Sequence, residues 1–406
     1  MFAMGFAFKN AGLGVGTCLT VFLGLLCLYC NHLLITACLC MRRKLGLEFN
    51  PTFSETVEYC FQTGPRLFKM WSPLARVTVK MFIVVTQMGF CSVYYVLVAT
   101  TLHEVVLHYG YDIDARLYMV GVYVPIVMFC LIRSLKFLTP VSLASNLMLV
   151  VSISATIIIS CFDLPEVQSR NIAADPWRLP LYFGTTIYAF EGISLILPLL
   201  SEMRNQDLFH TWLGVMNIGL VVVTALMTTV GFIGYLKYGE HTKGTLTLNL
   251  PPGDIISTIV KVMLAVGIAF TFPIQFYAAN DVFWFEIDRK YGPLNHPVLY
   301  ESFLRVLLVT VTLALAILIP KIGLFISLIG AVSSTFLALV YPALCDIAVR
   351  CCPQEDMPLT GRWNWLRLSV DAFILAVAIL GFAAGTYCSV VDLVHAFATR
   401  GFESEA

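Results

Sequence analysis

The sequence has little charge for its length. Only 12% of its 406 residues are Asp, Glu, Lys or Arg, and the formal net charge at pH 7 is zero. A soluble globular chain carries about 25% of these residues, so the composition excludes an ordinary soluble domain. A nucleic-acid partner calls for a basic surface, and the balanced charge gives no sign of one.

The patterns of enzymes and metal sites are also missing. Cys27 and Cys30, and again Cys38 and Cys40, form close pairs, but no Cys/His pair follows them at a zinc-finger spacing. There is no nucleophile elbow, and the glycines at 12–16 open an apolar helix instead of following a strand, which excludes a phosphate loop. We therefore predict no enzyme activity, no metal site and no cofactor.

Long apolar runs are what the sequence does have. It is 59% hydrophobic and its mean hydropathy is +0.84. Because about 20 apolar residues in a helix cross a bilayer, we predict a partial span at 1–8 followed by ten full spans. The full spans are predicted at 13–41, 81–106, 117–135, 141–161, 179–203, 211–236, 255–285, 302–319, 322–349 and 368–394.

The basic residues orient these spans. Most of the 25 Lys and Arg residues fall on one proposed side, many of them in the loop at 42–80. Cytoplasmic loops carry an excess of Lys and Arg, so we assign this side to the inside. Acidic residues collect on the other side, at Asp112, Asp114, Asp163, Glu166, Asp175, Glu240 and Asp254.

The span at 179–203 contains residues that a plain membrane helix avoids. Glu191 and Gly192 lie near its middle and Pro198 follows them. A carboxylate at that depth costs about 2.5–3.5 kcal/mol, and Gly and Pro both weaken a helix. We predict a discontinuous helix with its break near 189–192. A broken membrane helix lines a protein cavity, which in transporters is the substrate site. The alternative is a kinked structural helix in which Glu191 pairs with a neighbour.

Polar and aromatic residues within the spans predict a binding site for an amino acid. Its carboxylate needs donors, its ammonium group needs acceptors and its side chain needs an apolar wall. The free N–H and C=O groups of half-helix ends supply the first two. We expect Tyr188 and Phe190 to narrow the pocket and Gly192 to open the backbone to the carboxylate. The candidate substrate-binding residues are Tyr94, Tyr188, Phe190, Glu191, Gly192, Thr271 and Gln275.

Two residues are candidates for coupling transport to an ion. Glu191 is interpreted either as a carrier of a proton or as a fixed hydrogen-bond partner, and both interpretations stay open. His32 is the second candidate, although a lone histidine in a span is more often hydrogen-bonded packing than a proton relay. Asp281 and Asp346 lie near the inner ends of their spans, and we predict mostly structural roles for them.

Six groups of residues, in order along nearly the whole chain, carry a family pattern: 7–12, 86–94, 183–192, 197–199, 244–251 and 316–320. In these stretches the chain resembles the proton-coupled amino acid transporter family, within the amino acid/auxin permease group. The resemblance implies an all-α polytopic membrane helix bundle, with a LeuT-like five-plus-five inverted repeat and an eleventh helix. No long linker or second soluble domain is visible in the sequence, so we predict a single transporter domain at 1–400 and a short extracellular or lumenal tail at 401–406.

The function implied by the resemblance is secondary active transport, by symport, of small neutral amino acids with protons. The partners would be small amino acids, protons and the lipid bilayer of the plasma membrane or of a lysosomal or vacuolar membrane. The family's first span has a Gly-x-Gly break just before the position of Met1, so the first helix is expected to be truncated. Thr100 and Thr101 stand where the family commonly has an acidic or amide pair. The alternative is a transport-inactive truncated isoform or an amino-acid-sensing membrane protein.

Overall fold

The computed structural model describes residues 1–133, 135–209, 211, 213–251, 253–292, 295–319, 321–351 and 362–403. Within these ranges the regular structure is helical and contains no strand, which confirms the all-α prediction. The last helix reaches Glu403, so the tail predicted at 401–406 begins inside it, and 404–406 lie outside the described residues.

The helices fall into the order predicted for a polytopic bundle. In chain order they are α1 (Met4–Ala11), α2 (Leu13–Leu45), α3 (Phe53–Thr63), α4 (Arg66–His108), α5 (Ala115–Cys130), α6 (Leu135–Cys161), α7 (Leu179–Phe190), α8 (Ile193–Glu202), α9 (Val215–Tyr238), α10 (Ile255–Tyr291), α11 (Pro297–Leu318), α12 (Ile322–Ile329), α13 (Tyr341–Arg350) and α14 (Arg362–Glu403). Two π-helical turns, Gly330–Ser334 and Phe336–Val340, join α12 to α13.

Nine helical stretches among the described residues are long and apolar enough to cross a membrane. They correspond to nine of the ten predicted full spans, with α7 and α8 together forming one and α12 to α13 another. The tenth, predicted at 117–135, is the 16-residue helix α5. The short α1 takes the place of the predicted partial span.

The inner loop predicted at 42–80 is largely helical. Its middle forms α3, which starts with a capping box in which the Thr52 N–H donates to the Glu55 carboxylate and the Glu55 N–H donates to the Thr52 hydroxyl. Phe53, Val57 and Cys60 are buried in the cluster shared with α13. The loop prediction was wrong here because a short amphipathic helix has no long apolar run.

The predicted break in the fifth full span, at 179–203, is confirmed. Helix α7 ends at Phe190, Glu191 takes an extended conformation with φ −61° and ψ 120°, and α8 begins at Ile193. Pro198 lies inside α8 and does not end it. The break therefore occupies Glu191 and Gly192 alone.

Close packing of glycines holds α7 against the first π-helical turn. A Cβ atom on Gly330 would collide with the carbonyl oxygen of Gly184 and would lie 2.9 Å from the Cβ of Tyr188. A Cβ atom on Gly184 would lie 2.8 Å from the Ser327 hydroxyl oxygen. Because only hydrogen fits at these two positions, the crossing brings Tyr188 and the break directly against the segment that follows α12.

We expect Gly330→Ala to lower stability by about 1–3 kcal/mol, since the added methyl group forces α7 away from the π-helical turn. Gly219→Ala is the matched control, because a Cβ atom there meets nothing within 4 Å on the exposed side of α9. The measurement is thermal unfolding of both variants in detergent. A Gly330→Ala protein that melts no lower than the Gly219→Ala protein would contradict this account of the crossing.

Candidate functional site

The break leaves backbone groups without helical partners in the interior of the bundle. The first N–H groups of a helix have no acceptor in a preceding turn, and they form the positive end of its dipole. Here those groups belong to the start of α8, directly after Gly192. A Cβ atom on Gly192 would meet nothing within 4 Å, so the backbone at this point borders open space.

The Glu191 carboxyl group lies at the centre of a polar cluster. Both of its oxygens are buried and have no hydrogen-bond partner among the described residues. The hydroxyl groups of Ser194 and Ser334 lie next to it, and the Gln87 amide donates to the Ser194 hydroxyl at 3.3 Å. We call Gln87, Glu191, Ser194 and Ser334 the Glu191 cluster; it joins α4, the break, α8 and the first π-helical turn.

An aromatic cluster lies next to the Glu191 cluster, at the C-terminal end of α7. The Tyr188 ring packs on Phe90 with ring centroids 4.4 Å apart, and Tyr94 lies near Tyr188 and beside the Gln275 side chain. The Tyr188 hydroxyl and the Gln275 carbonyl oxygen are buried and have no hydrogen-bond partner within the described ranges. We call Phe90, Tyr94, Tyr188 and Gln275 the Tyr188 cluster. The structure thus brings together five of the predicted residues: Tyr94, Tyr188, Glu191, Gly192 and Gln275.

Two other predicted site residues make contacts between helices. The Thr271 hydroxyl donates to the Gly267 carbonyl at 2.9 Å and shares a hydrogen bond with Ser145, which ties α10 to α6. Phe190 is 6% exposed, and its ring edge lies 3.2 Å from the position of a Cβ atom on Gly24 of α2. Phe190 therefore packs against α2, and it is Phe90 that supplies the aromatic wall next to Tyr188.

His32 lies in a separate contact between helices. Its Nε2 atom shares a hydrogen bond with the Asn217 side-chain oxygen at 2.7 Å, which joins α2 to the start of α9. The Asn217 amide donates in turn to the Thr211 carbonyl at 3.0 Å. These contacts hold His32 between α2 and α9, and its role in coupling stays a prediction.

Sequence reasoning missed four members of the two clusters. Gln87, Phe90, Ser194 and Ser334 were not predicted as site residues. Ser334 had a detectable signal, because it belongs to a run of small polar residues at 333–335 inside an apolar span. π-Helical turns occur often at functional sites, and Ser334 is on one.

Two cavities in the described part of the chain lie toward the ends of the bundle. The outer one has a volume of about 970 Å³ and is lined by α1, α12, α14 and loop residues that include Arg178 and Glu240. The inner one, of about 630 Å³, lies between α4 and α10 next to Lys80 and Glu286. Neither is lined by Glu191 or Tyr188.

Residues 1–391 match the family described as transmembrane amino acid transporter protein. The chain is 31% identical, over 402 residues, to the proton-coupled amino acid transporter-like protein pathetic of Drosophila melanogaster; the match covers 98% of this chain and 82% of that protein. It is 28% identical, over 405 residues, to the amino acid transporter AVT3C of Arabidopsis thaliana, with coverage of 96% and 86%.

We expect Gly192→Cys to react with a small water-soluble thiol reagent, since its side chain would enter the open space at the break. Thr185→Cys is the matched control on α7: Thr185 is 0% exposed, so its thiol should add nothing to the background of the native cysteines. The measurement is the increase in labelling over the unmodified protein. Equal labelling of the two variants would show that the break is closed to water.

Proposed function

Because the chain belongs to the transmembrane amino acid transporter family, we propose that it is a multi-pass carrier that moves small neutral amino acids together with protons. The observation that carries this proposal is the break at Glu191 and Gly192, where a buried carboxyl group without a partner adjoins free backbone groups. The proposed location is the plasma membrane or a lysosomal or vacuolar membrane.

The start of α8 binds the carboxylate of the amino acid. The N–H groups of a helix start donate to anions, and the helix dipole adds a favourable electrostatic interaction. Gly192 has no side chain between these groups and the open space beside it. Discontinuous helices in transporters bind anionic substrate groups in this way.

Buried acceptor oxygens bind the ammonium group. Gln87 Oε1, Gln275 Oε1 and the Glu191 carboxyl oxygens are buried, and no side chain or backbone group in the described part of the chain donates to them. Unsatisfied buried acceptors cost about 1–3 kcal/mol each, and an ammonium group supplies three N–H donors. A zwitterion carries both the ammonium group that these oxygens accept and the carboxylate that the start of α8 binds. The two clusters therefore recognise a ligand that has both groups.

The Tyr188–Phe90 pair restricts the size of the substrate side chain. Tyr188 is fixed by its ring contact with Phe90 and by the glycine crossing at Gly330 behind it. Since α7 cannot move toward the π-helical turn, the ring cannot retreat to make room. The space beside the break suits a hydrogen atom, a methyl group or a small ring.

Glu191 carries the coupled proton. An unpaired carboxylate inside the membrane is strongly unfavourable, and a bound proton neutralises it while the site changes its access from one side to the other. The Ser194 and Ser334 hydroxyl groups next to it can donate to the ionised form or accept from the protonated form. One zwitterion and one proton then cross together.

Glu191→Gln should remove the dependence of uptake on external pH, because the amide imitates a permanently protonated carboxyl group. We expect uptake along a substrate gradient to persist and acid-stimulated accumulation to be lost. Glu202→Gln, at the exposed end of α8, is the matched control and should keep the wild-type pH profile. The measurement is uptake of labelled glycine into proteoliposomes at acidic and neutral external pH. A wild-type profile in Glu191→Gln would remove this carboxyl group from coupling.

Competition for uptake should follow side-chain size. Glycine, alanine and proline should compete well, whereas leucine should compete at least ~10-fold less well than alanine, since a few extra methylene groups in a tight pocket cost about 1–3 kcal/mol. The measurement is inhibition of labelled glycine uptake over a range of competitor concentrations. Preferential inhibition by cationic or large aromatic amino acids would contradict the proposed substrate class.

A further inference from the structure

A second buried acidic group lies between α13 and α14, on the inner side of the break. Asp346 is 4% exposed and Asp371 is 0% exposed. Their carboxyl groups face each other at hydrogen-bonding range. Both oxygens of Asp371 are buried, and no donor contacts either of them in the part of the chain that the structure describes.

Among the described residues near the two carboxyl groups, Arg350 is the one cation that is largely shielded from solvent. Arg350 Nε donates to Asp346 Oδ2 one turn away on α13, while Arg367 on α14 is exposed, so solvent screens its charge. The other titratable groups near the pair come from the helices packed against it: Tyr29 and Cys30 on α2 and Cys60 on α3. None of these three is a cation.

Two carboxylates in contact repel each other, and neither has a hydrogen to donate. Carboxyl groups that share a site inside a protein resolve this by holding one proton between them. We infer that Asp346 and Asp371 form a second proton-binding site, in which Asp371 donates a shared proton to the carboxylate that Arg350 holds. The ligand of this site is a proton, and the site is distinct from Glu191.

The two acidic sites adjoin the same turn of α2. Cys27 lies within electrostatic range of Glu191, and Cys30 within range of Asp371. Three residues of a helix span about 4.5 Å along its axis. The aspartate pair therefore lies about one helical turn of α2 from Glu191, toward the inner end of that helix. Its part in transport depends on the proposed function, whereas its binding of a proton does not.

The test compares the thermal unfolding of the purified 406-residue protein and of Asp371→Asn over a range of pH. The asparagine amide can donate to Asp346 at any pH, whereas the wild-type pair loses its proton and becomes repulsive in alkali. From about pH 4 up to the pH at which the pair loses its proton, the folded wild type holds a proton that the unfolded chain has released, so its stability falls as the pH rises. Over this range we expect the melting temperature of Asp371→Asn to rise relative to the wild type by about 1–2 °C per pH unit, and above it the difference should stay constant. Asp392→Asn, at an exposed site on the same helix, should follow the wild type throughout.

The opposite dependence would overturn the inference. If Asp371 were ionised and held by arginine, Asp371→Asn would melt lower than the wild type at neutral pH and the gap would close in acid. Parallel curves would show that no proton is bound and would also overturn it. If Asp371→Asn does not fold, infrared spectra of wild-type protein labelled with ¹³C-aspartate replace the melting experiment. A protonated aspartic acid band at neutral pH supports the site, and its absence refutes it. Neither measurement involves uptake, so a failed uptake assay leaves this result standing.

Discussion

Inside a membrane, every backbone amide and every charged side chain must find its partner within the protein. The segment from α7 to α8 violates this rule at one place, where Glu191 and Gly192 leave the helix and the carboxyl group has no partner of its own. Such a place is stable when a ligand or a proton completes it. The location of the break, the polar residues that surround it and the proposed function all depend on this constraint.

The neighbouring helices hold the break between two apolar clusters. Tyr188 packs with the cluster formed largely by α4, α5, α10 and α11, whereas Phe190 packs with the cluster of α1, α2 and α9. Arg305 strengthens the first set, since it is paired with Glu301 at 2.8 Å and donates to the Cys130 carbonyl at 2.7 Å. The last turn of α7 thus has one side chain in each set of helices.

Much of this could be predicted from sequence because the membrane imposes simple patterns. Apolar runs located the spans, and Glu191 with Gly192 located the break. The sequence could not show which way each aromatic ring turns, since Phe190 and Tyr188 are two residues apart on one helix and point to different neighbours. The π-helical turns before α13 lie inside a long apolar run, whose composition does not distinguish them from an ordinary membrane helix. The short helix α3 has no long apolar run. Asp346 and Asp371 are brought together by the packing of α13 on α14, which no local sequence pattern encodes. Of these two residues, only Asp346 is assigned a role from sequence, and that role is mostly structural.

An experimental structure of the protein with a bound small neutral amino acid, determined by electron cryomicroscopy in nanodiscs at acidic pH, tests the central claim most directly. The account predicts that α7 still ends at Phe190, that the carboxylate of the ligand lies against the first turn of α8 and that its ammonium group lies among Gln87, Glu191 and Gln275. A continuous helix through Glu191, or an amino acid bound only in the outer cavity near Arg178 and Glu240, would contradict it.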